Sequence, residues 1–249
     1  NQYSKVLILL NNYNKNTMKK ITLLLTLFLV SFFAKAQHYQ NAYQFAGDGS
    51  SVFSVVVADV LHNNELNITY VTGSFQGTVD FEPGNEIDFK TTTSEAGFLA
   101  AYNESGKLLW FKTFIGGYIS KPVSLSYGLE AVYVLGQAYS SVAKIAAFNK
   151  SSGVFIEWSE ITSTGTLNVK DICCRKNSTY FSVVGSFSGT LTAESRTLTS
   201  NGDLDAFYLN YFKPSLSLFY CTAWANYGGL GADEANALDI ESNTSVTAI

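Results

Sequence analysis

Tyr70-Val-Thr-Gly73-Ser-Phe-Gln-Gly77-Thr78 returns as Phe181-Ser-Val-Val-Gly185-Ser-Phe-Ser-Gly189-Thr190, with Gly73 and Gly185 separated by 112 residues. Between them lies a degenerate middle copy, Val132-Tyr-Val-Leu-Gly136-Gln-Ala-Tyr139, so the spacing is two units of 56. Self-similarity at tens of residues marks a repeat architecture, in which each unit is one supersecondary element.

The tryptophans give a second landmark. Trp110, Trp158 and Trp224 each close a segment that begins with an apolar run: Phe98–Tyr102, Ile145–Phe148 and Ala206–Phe212. A turn-bearing stretch separates run from tryptophan, and glycine follows each. This phase predicts that all three occupy equivalent positions on the last strand of successive units.

Within each unit, segments of five to nine residues rich in Val, Ile, Thr, Tyr and Phe are bounded by Gly, Asn, Ser or Pro, the mark of strands. Four strands are expected in the first unit: Phe53–Val60, Asn67–Phe75, Gly97–Asn103 and Lys107–Phe114. The second has Val123–Tyr127, Ala131–Ala138, Val142–Asn149 and Val154–Ile161. The third has Leu167–Cys173, Thr179–Phe187, Asp205–Phe212 and Leu216–Ala225. A further unit starts near Glu234–Ile240. No segment after residue 36 sustains a helical period.

Units of this size match the blades of β-propellers. The run Tyr70-Val-Thr-Gly-Ser-Phe-Gln-Gly-Thr-Val-Asp-Phe-Glu-Pro-Gly84, then Phe98-Leu-Ala-Ala-Tyr-Asn-Glu-Ser-Gly-Lys-Leu-Leu-Trp110, then Gly116-Gly117, resembles the bacterial β-propeller repeat family of SBBP type. The resemblance spans residues 40–249. The second unit departs from it, losing Gly-Ser-Phe-x-Gly and the long loop that follows; the third lacks the Pro-Gly. It implies an all-β propeller of four-stranded antiparallel blades, at about 48–117, 118–165 and 166–229, with 230–249 opening a further blade. Residues 40–47 align with the last strand of a unit and are expected to be an outer closing strand. Three full blades leave the ring incomplete, so downstream blades of the same chain are expected partners. The resemblance implies a secreted or surface protein and no particular reaction.

The first 36 residues are not expected to belong to the fold. Met18, the single methionine, is followed by Lys19-Lys20, the apolar run Ile21–Phe33 and Ala34-Lys-Ala36. Charged start, apolar middle and small residues at a cleavage point describe a signal peptide over 18–36. The apolar run is shorter than the roughly 20 residues a spanning helix needs, so no membrane insertion is expected after cleavage. Residues 1–17 read as an upstream extension. All five basic residues of the first 36 are lysines with no acid among them, which leaves 37–249 with 11 basic and 20 acidic residues. Such a balance disfavours nucleic acid, which needs basic patches.

Candidate chemistry is sparse. The two histidines, His38 at the mature terminus and His62 in a polar turn, stand near no Gly-x-Ser-x-Gly elbow, so no Ser-His-Asp or Cys-His hydrolase is expected. Cys173 and Cys174 lie on a first strand and Cys221 on a fourth strand of one unit. Three interstrand steps of about 4.8 Å separate them, too far for a disulfide. Acids are more suggestive. Asp48, Asp233 and Glu234 from inter-unit loops, and Asp80, Glu82, Glu86 and Asp88 from the long loop Gly77–Glu95, are expected on one face. Asp48, Asp80, Glu82, Asp88 and Asp233 are the metal candidates, with Ca²⁺ the cation that oxygen ligands suit. No Asp-x-Asp-x-Asp-Gly loop occurs, so a solvated acidic surface with no cofactor is the expectation.

The expected function is a secreted, non-enzymatic binding or adhesion scaffold for a protein or glycan, because loop-rich faces on a rigid frame suit recognition. The alternatives are a propeller-type polysaccharide hydrolase or lyase, with its active residues on the acidic loop face or in blades not present here, and a structural repeat of a larger surface protein. Mass spectrometry of exported protein should find Gln37 as the first residue; a retained N-terminus would instead show an anchor.

Overall fold

The computed structural model describes residues 44–49, 52–114, 118–175, 178–213, 219–239 and 247–248. The signal-peptide segment and the beginning of the 40–47 strand lie outside them. The described residues are all-β: they contain strands paired antiparallel and no helix.

Three meanders follow one another. The first joins β2 (Ser54–Asn63), β3 (Ile68–Asp80), β4 (Phe89–Asn103) and β5 (Leu108–Phe114). The second joins β6 (Lys121–Tyr127), β7 (Ala131–Tyr139), β8 (Val142–Asn149) and β9 (Phe155–Ser163). The third joins β10 (Leu167–Cys174), β11 (Tyr180–Phe187), β14 (Asp205–Phe212) and β15 (Tyr220–Tyr227). A two-residue strand, β16 (Leu238–Asp239), pairs with β17 (Thr247–Ala248) beyond them.

The repeated glycines explain themselves. Ala58, Val123 and Lys170 are bulged out of the first strand of each sheet, immediately after the residue opposite Gly73, Gly136 and Gly185. A Cβ on Gly73 or Gly185 would overlap the carbonyl oxygen of Val56 or Asn168 on the bulged strand. The second glycine of the motif, Gly77 or Gly189, has φ of 87° or 75°, a region that side chains with a Cβ rarely adopt.

Each bulge re-aims the next residue toward the neighbouring sheet. Asp59 Oδ2 accepts from Leu125 N at 2.7 Å, and Asp171 Oδ2 accepts from Leu238 N at 2.7 Å. Ser124, at the same position of the second sheet, donates to Asp171 Oδ1 at 2.7 Å and accepts from Ile172 N at 3.5 Å. One step along, Ser126 Oγ accepts from Cys174 N at 2.8 Å. The first strands therefore stand side by side, bound to each other through side chain and backbone.

Apolar faces close the spaces between sheets. Tyr70, Leu99, Phe114, Val132, Val134 and Phe148 fill the space between the first and second. Leu135, Ile145, Val183, Phe187, Phe207 and Tyr211 fill that between the second and third. On its other face the first sheet carries an aromatic cluster of Phe45, Phe75, Phe81, Phe98 and Phe111, with centroids 4.4–6.3 Å apart.

Four readings need correction. The region 77–95 is not one loop: β3 runs on to Asp80 and β4 begins at Phe89, so it forms a long hairpin arm. The third unit has its own arm, β12 (Thr190–Ala193) with β13 (Arg196–Thr199), which leaves its sheet and pairs with Ile161–Ser163 at the edge of the second. His62 lies on β2, where Nδ1 is 3.0 Å from Thr69 Oγ1. The tryptophans all fall on fourth strands, but not in one register. Trp158 and Trp224 stand opposite the residues two beyond the glycine partners, Ala146 and Leu209; in the first sheet that place belongs to Phe111, opposite Ala100. Trp110 is one residue off and so faces the second sheet, where its Nε1 donates to Ser151 O at 3.1 Å. A one-residue shift reverses the face in a strand.

β1 (Ala46–Gly47) pairs with Val79-Asp80 of the first arm, as Thr162-Ser163 of β9 pairs with Leu191-Thr192 of the third unit's arm.

Asp171→Ala removes the acceptor of three donors at the seam between first strands. It should lower unfolding stability by about 2–3 kcal/mol, and Asp171→Asn by clearly less, in urea titrations. Equal stability of Asp171→Ala and wild type would refute a role for this bonding.

Candidate functional site

A concavity opens between the first two sheets. Lys112 and Phe114 of β5, Tyr118 and Ile119 of the connection, Lys144, Ala146 and Phe148 of β8, and Phe155 and Trp158 of β9 line a cleft of about 340 Å³. Tyr118, Phe155 and Trp158 are 41%, 47% and 40% exposed, unusual for large rings that touch one another. The Tyr118 and Trp158 centroids are 4.6 Å apart and the Phe155 and Trp158 centroids 5.7 Å. The Lys144 ammonium stands 5.0 Å from the centroid of Trp158, 5.4 Å from that of Tyr118 and 3.5 Å from Glu160 Oε2. Among the described residues Lys112 has no ion-pair partner.

A missing piece of the repeat leaves this cleft open. Between the second and third sheets the arm β12–β13 pairs with β9 on one side, and Asn226 of β15 donates to Thr199 O on the other at 3.0 Å. Its Arg196 guanidinium covers Trp224 at 4.2 Å. Trp224 is the counterpart of Trp158. The second unit has no arm: β7 and β8 join through the two-residue turn Ser140-Ser141. Loss of Gly-Ser-Phe-x-Gly in that unit leaves Trp158 without such an arm beside it, although Trp158 and Trp224 are similarly exposed, at 40% and 38%. The degenerate middle copy was visible in the sequence. That its consequence falls on Tyr118, Lys112, Lys144 and Phe155 was not, because these come from strands of two sheets.

The acids expected to share a face do not form a cation site among the described residues. Asp80 Oδ1 accepts from the backbone of Glu82 at 3.0 Å and of Asp88 at 2.9 Å, bracing the tip of the first arm. Glu82 is buried, and its Oε2 accepts from Leu108 N at 2.9 Å. Asp88 pairs with Lys90, Glu86 with Lys107, and Glu234 with Lys170. Asp233 accepts from Gly229 N at 3.1 Å, and Asp48 is exposed beside β1. These carboxylates hold turns and lysines. Glu157 and Glu194, in the groove between the second and third sheets, are likewise engaged: Glu157 by Lys213 and Phe219 N, Glu194 by the Ser159 hydroxyl.

Cys173 and Cys174 lie on β10 and Cys221 on β15, at opposite edges of the third sheet, and no disulfide joins them. Burial raises the Cys174 thiol well above its ordinary value, against the opposing hydrogen bond of Ser126. Burial pushes Cys221 up to about 11, with the charge of Arg196 opposing.

No family model matches the chain, and no curated protein is significantly similar to it.

Thiolate is the reactive form, so Cys174 and Cys221 should stay unlabelled by Ellman's reagent at about pH 7.5 and react once the protein is unfolded. Rapid labelling of either in the folded protein would show an open, activated thiol instead.

Proposed function

We propose that the chain is a secreted, non-enzymatic scaffold of SBBP-type β-propeller blades, and that it binds a glycan in the aromatic cleft between its first two sheets. One observation carries the reading: three large rings in contact, Tyr118, Phe155 and Trp158, stand 40–47% exposed in one cleft. A cleft of about 340 Å³ falls within the usual range for small ligands, about 300–1,000 Å³, and combines an apolar wall with few polar groups. The C–H face of a sugar ring covers such rings while its hydroxyls reach lysine and water. Rigid aromatic surface also costs little conformational entropy when a ligand seats on it.

Three features support the ring arrangement. Successive sheets meet through their first strands, each bulged opposite a glycine. β1 takes the place on the first arm that β9 takes on the third unit's arm, as a closing outer strand would. Along the edge strand β2, Val56, Val57 and Val60 are 45–60% exposed; a further blade of the same kind would cover part of this surface. Non-enzymatic binding is favoured because the carboxylates of the second groove and of the arm tip already hold protein donors.

The test is affinity electrophoresis and calorimetry of the full chain against a set of soluble polysaccharides. Trp158→Ala should weaken binding at least about tenfold, or 1.4 kcal/mol, with an unchanged circular dichroism spectrum. Tyr227→Ala, an exposed ring far from the cleft residues in sequence, should bind as wild type. Undiminished binding by Trp158→Ala would remove the cleft from the reading.

A further inference from the structure

We infer that the cleft selects sugars bearing a negative group, carboxylate or sulfate, next to the ring that stacks. This rests on the glycan reading above and narrows it.

Two lysines from different sheets enter the same cleft, Lys112 from β5 and Lys144 from β8. The chain as a whole is acidic, with 20 acidic residues against 16 Lys and Arg. Its general field therefore repels anionic polymers, and attraction has to be local. The cleft supplies it. Lys112 carries a charge that no carboxylate among the described residues neutralises. Lys144 is held by Glu160 at 3.5 Å, with the Glu160 side chain 47% exposed. The Lys144 side chain is only 14% exposed, so the pair opens to solvent on its Glu160 side, and a ligand anion can share the ammonium from the cleft.

The same geometry disfavours a cation. Paired aromatic faces commonly bind ligand ammonium groups. Here Lys144 already lies over both Trp158 and Tyr118. A second positive charge would be placed beside it and beside Lys112. What fits is an apolar ring face on the aromatics and one anionic substituent between the lysines. Lysine acts as a point charge rather than a planar fork, so it accepts carboxylate and sulfate alike.

The experiment compares matched polymers on the full chain: polygalacturonate against its carboxyl-reduced form, and dextran sulfate against dextran. We expect at least one charged polymer to bind about tenfold more tightly than its neutral partner at low salt, with the preference shrinking as ionic strength rises. Lys112→Gln should reduce that preference to below about threefold, and Lys112→Arg should restore it. The pair preferring the charged member identifies carboxylate or sulfate as the group. Equal binding of charged and neutral partners, or a preference untouched by Lys112→Gln, overturns this inference and leaves glycan binding standing. Failure of every polymer to bind overturns the glycan reading itself, and this inference with it.

Discussion

The structure depends on one recurring contact: a polar side chain just past the bulge of a first strand reaches the backbone of the next sheet's first strand. Asp59 holds Leu125 N, Ser124 holds Asp171 and Ile172 N, and Asp171 holds Leu238 N. A strand packed among others leaves no room for unpaired amides, since a buried unsatisfied donor costs about 1–3 kcal/mol. The bulge frees one residue from its own ladder, and the side chain after it satisfies the neighbour's. Glycine at 73 and 185 is the steric condition, because a Cβ would collide with the bulged carbonyl. The motif is thus a joint between sheets as well as a strand ending.

Around that joint the packing divides into two kinds. Near the first strands the faces are sealed by Val, Leu, Ile and Phe, many with no exposed surface. Toward the fourth strands the packing differs from unit to unit. The third unit has an arm that adds two strands to the neighbouring sheet. The first unit's arm receives β1. The second unit has none, and Tyr118 and Lys144 cover Trp158 only partly. Tyr118, Phe155 and Trp158, each 40–47% exposed, leave an aromatic surface open there. The proposed binding site is in this sense a by-product of repeat degeneration.

Charge acts on the same place. The acids that cluster in the sequence are spent locally, on backbone amides and lysines at the arm tip. The cleft keeps Lys112, which has no ion-pair partner among the described residues, and Lys144, paired with Glu160, beside its rings. Local charge of that kind governs selectivity more than overall affinity.

The sequence by itself determined the all-β class and most strand positions, because alternating β-formers and Gly-bounded segments are local signals. It also showed that the middle unit lacks the Gly-Ser-Phe-x-Gly segment and the long stretch that follows it, since Gly136-Gln-Ala-Tyr139 stands in its place. It misread the region 77–95 as loop, because a polar, threonine-rich hairpin has no core face to give it a pattern. It placed Trp110 in register with Trp158 and Trp224, although a one-residue offset puts it on the opposite face of its sheet. Only the tertiary structure decided that Asp59 and Asp171 are joints while Asp80 and Glu82 are braces: a carboxylate's role depends on which amide lies within 3 Å. Only the tertiary structure brought Lys112, Tyr118, Lys144 and Trp158 to one cleft, because residues from two sheets meet through packing between strands that sequence spacing does not encode.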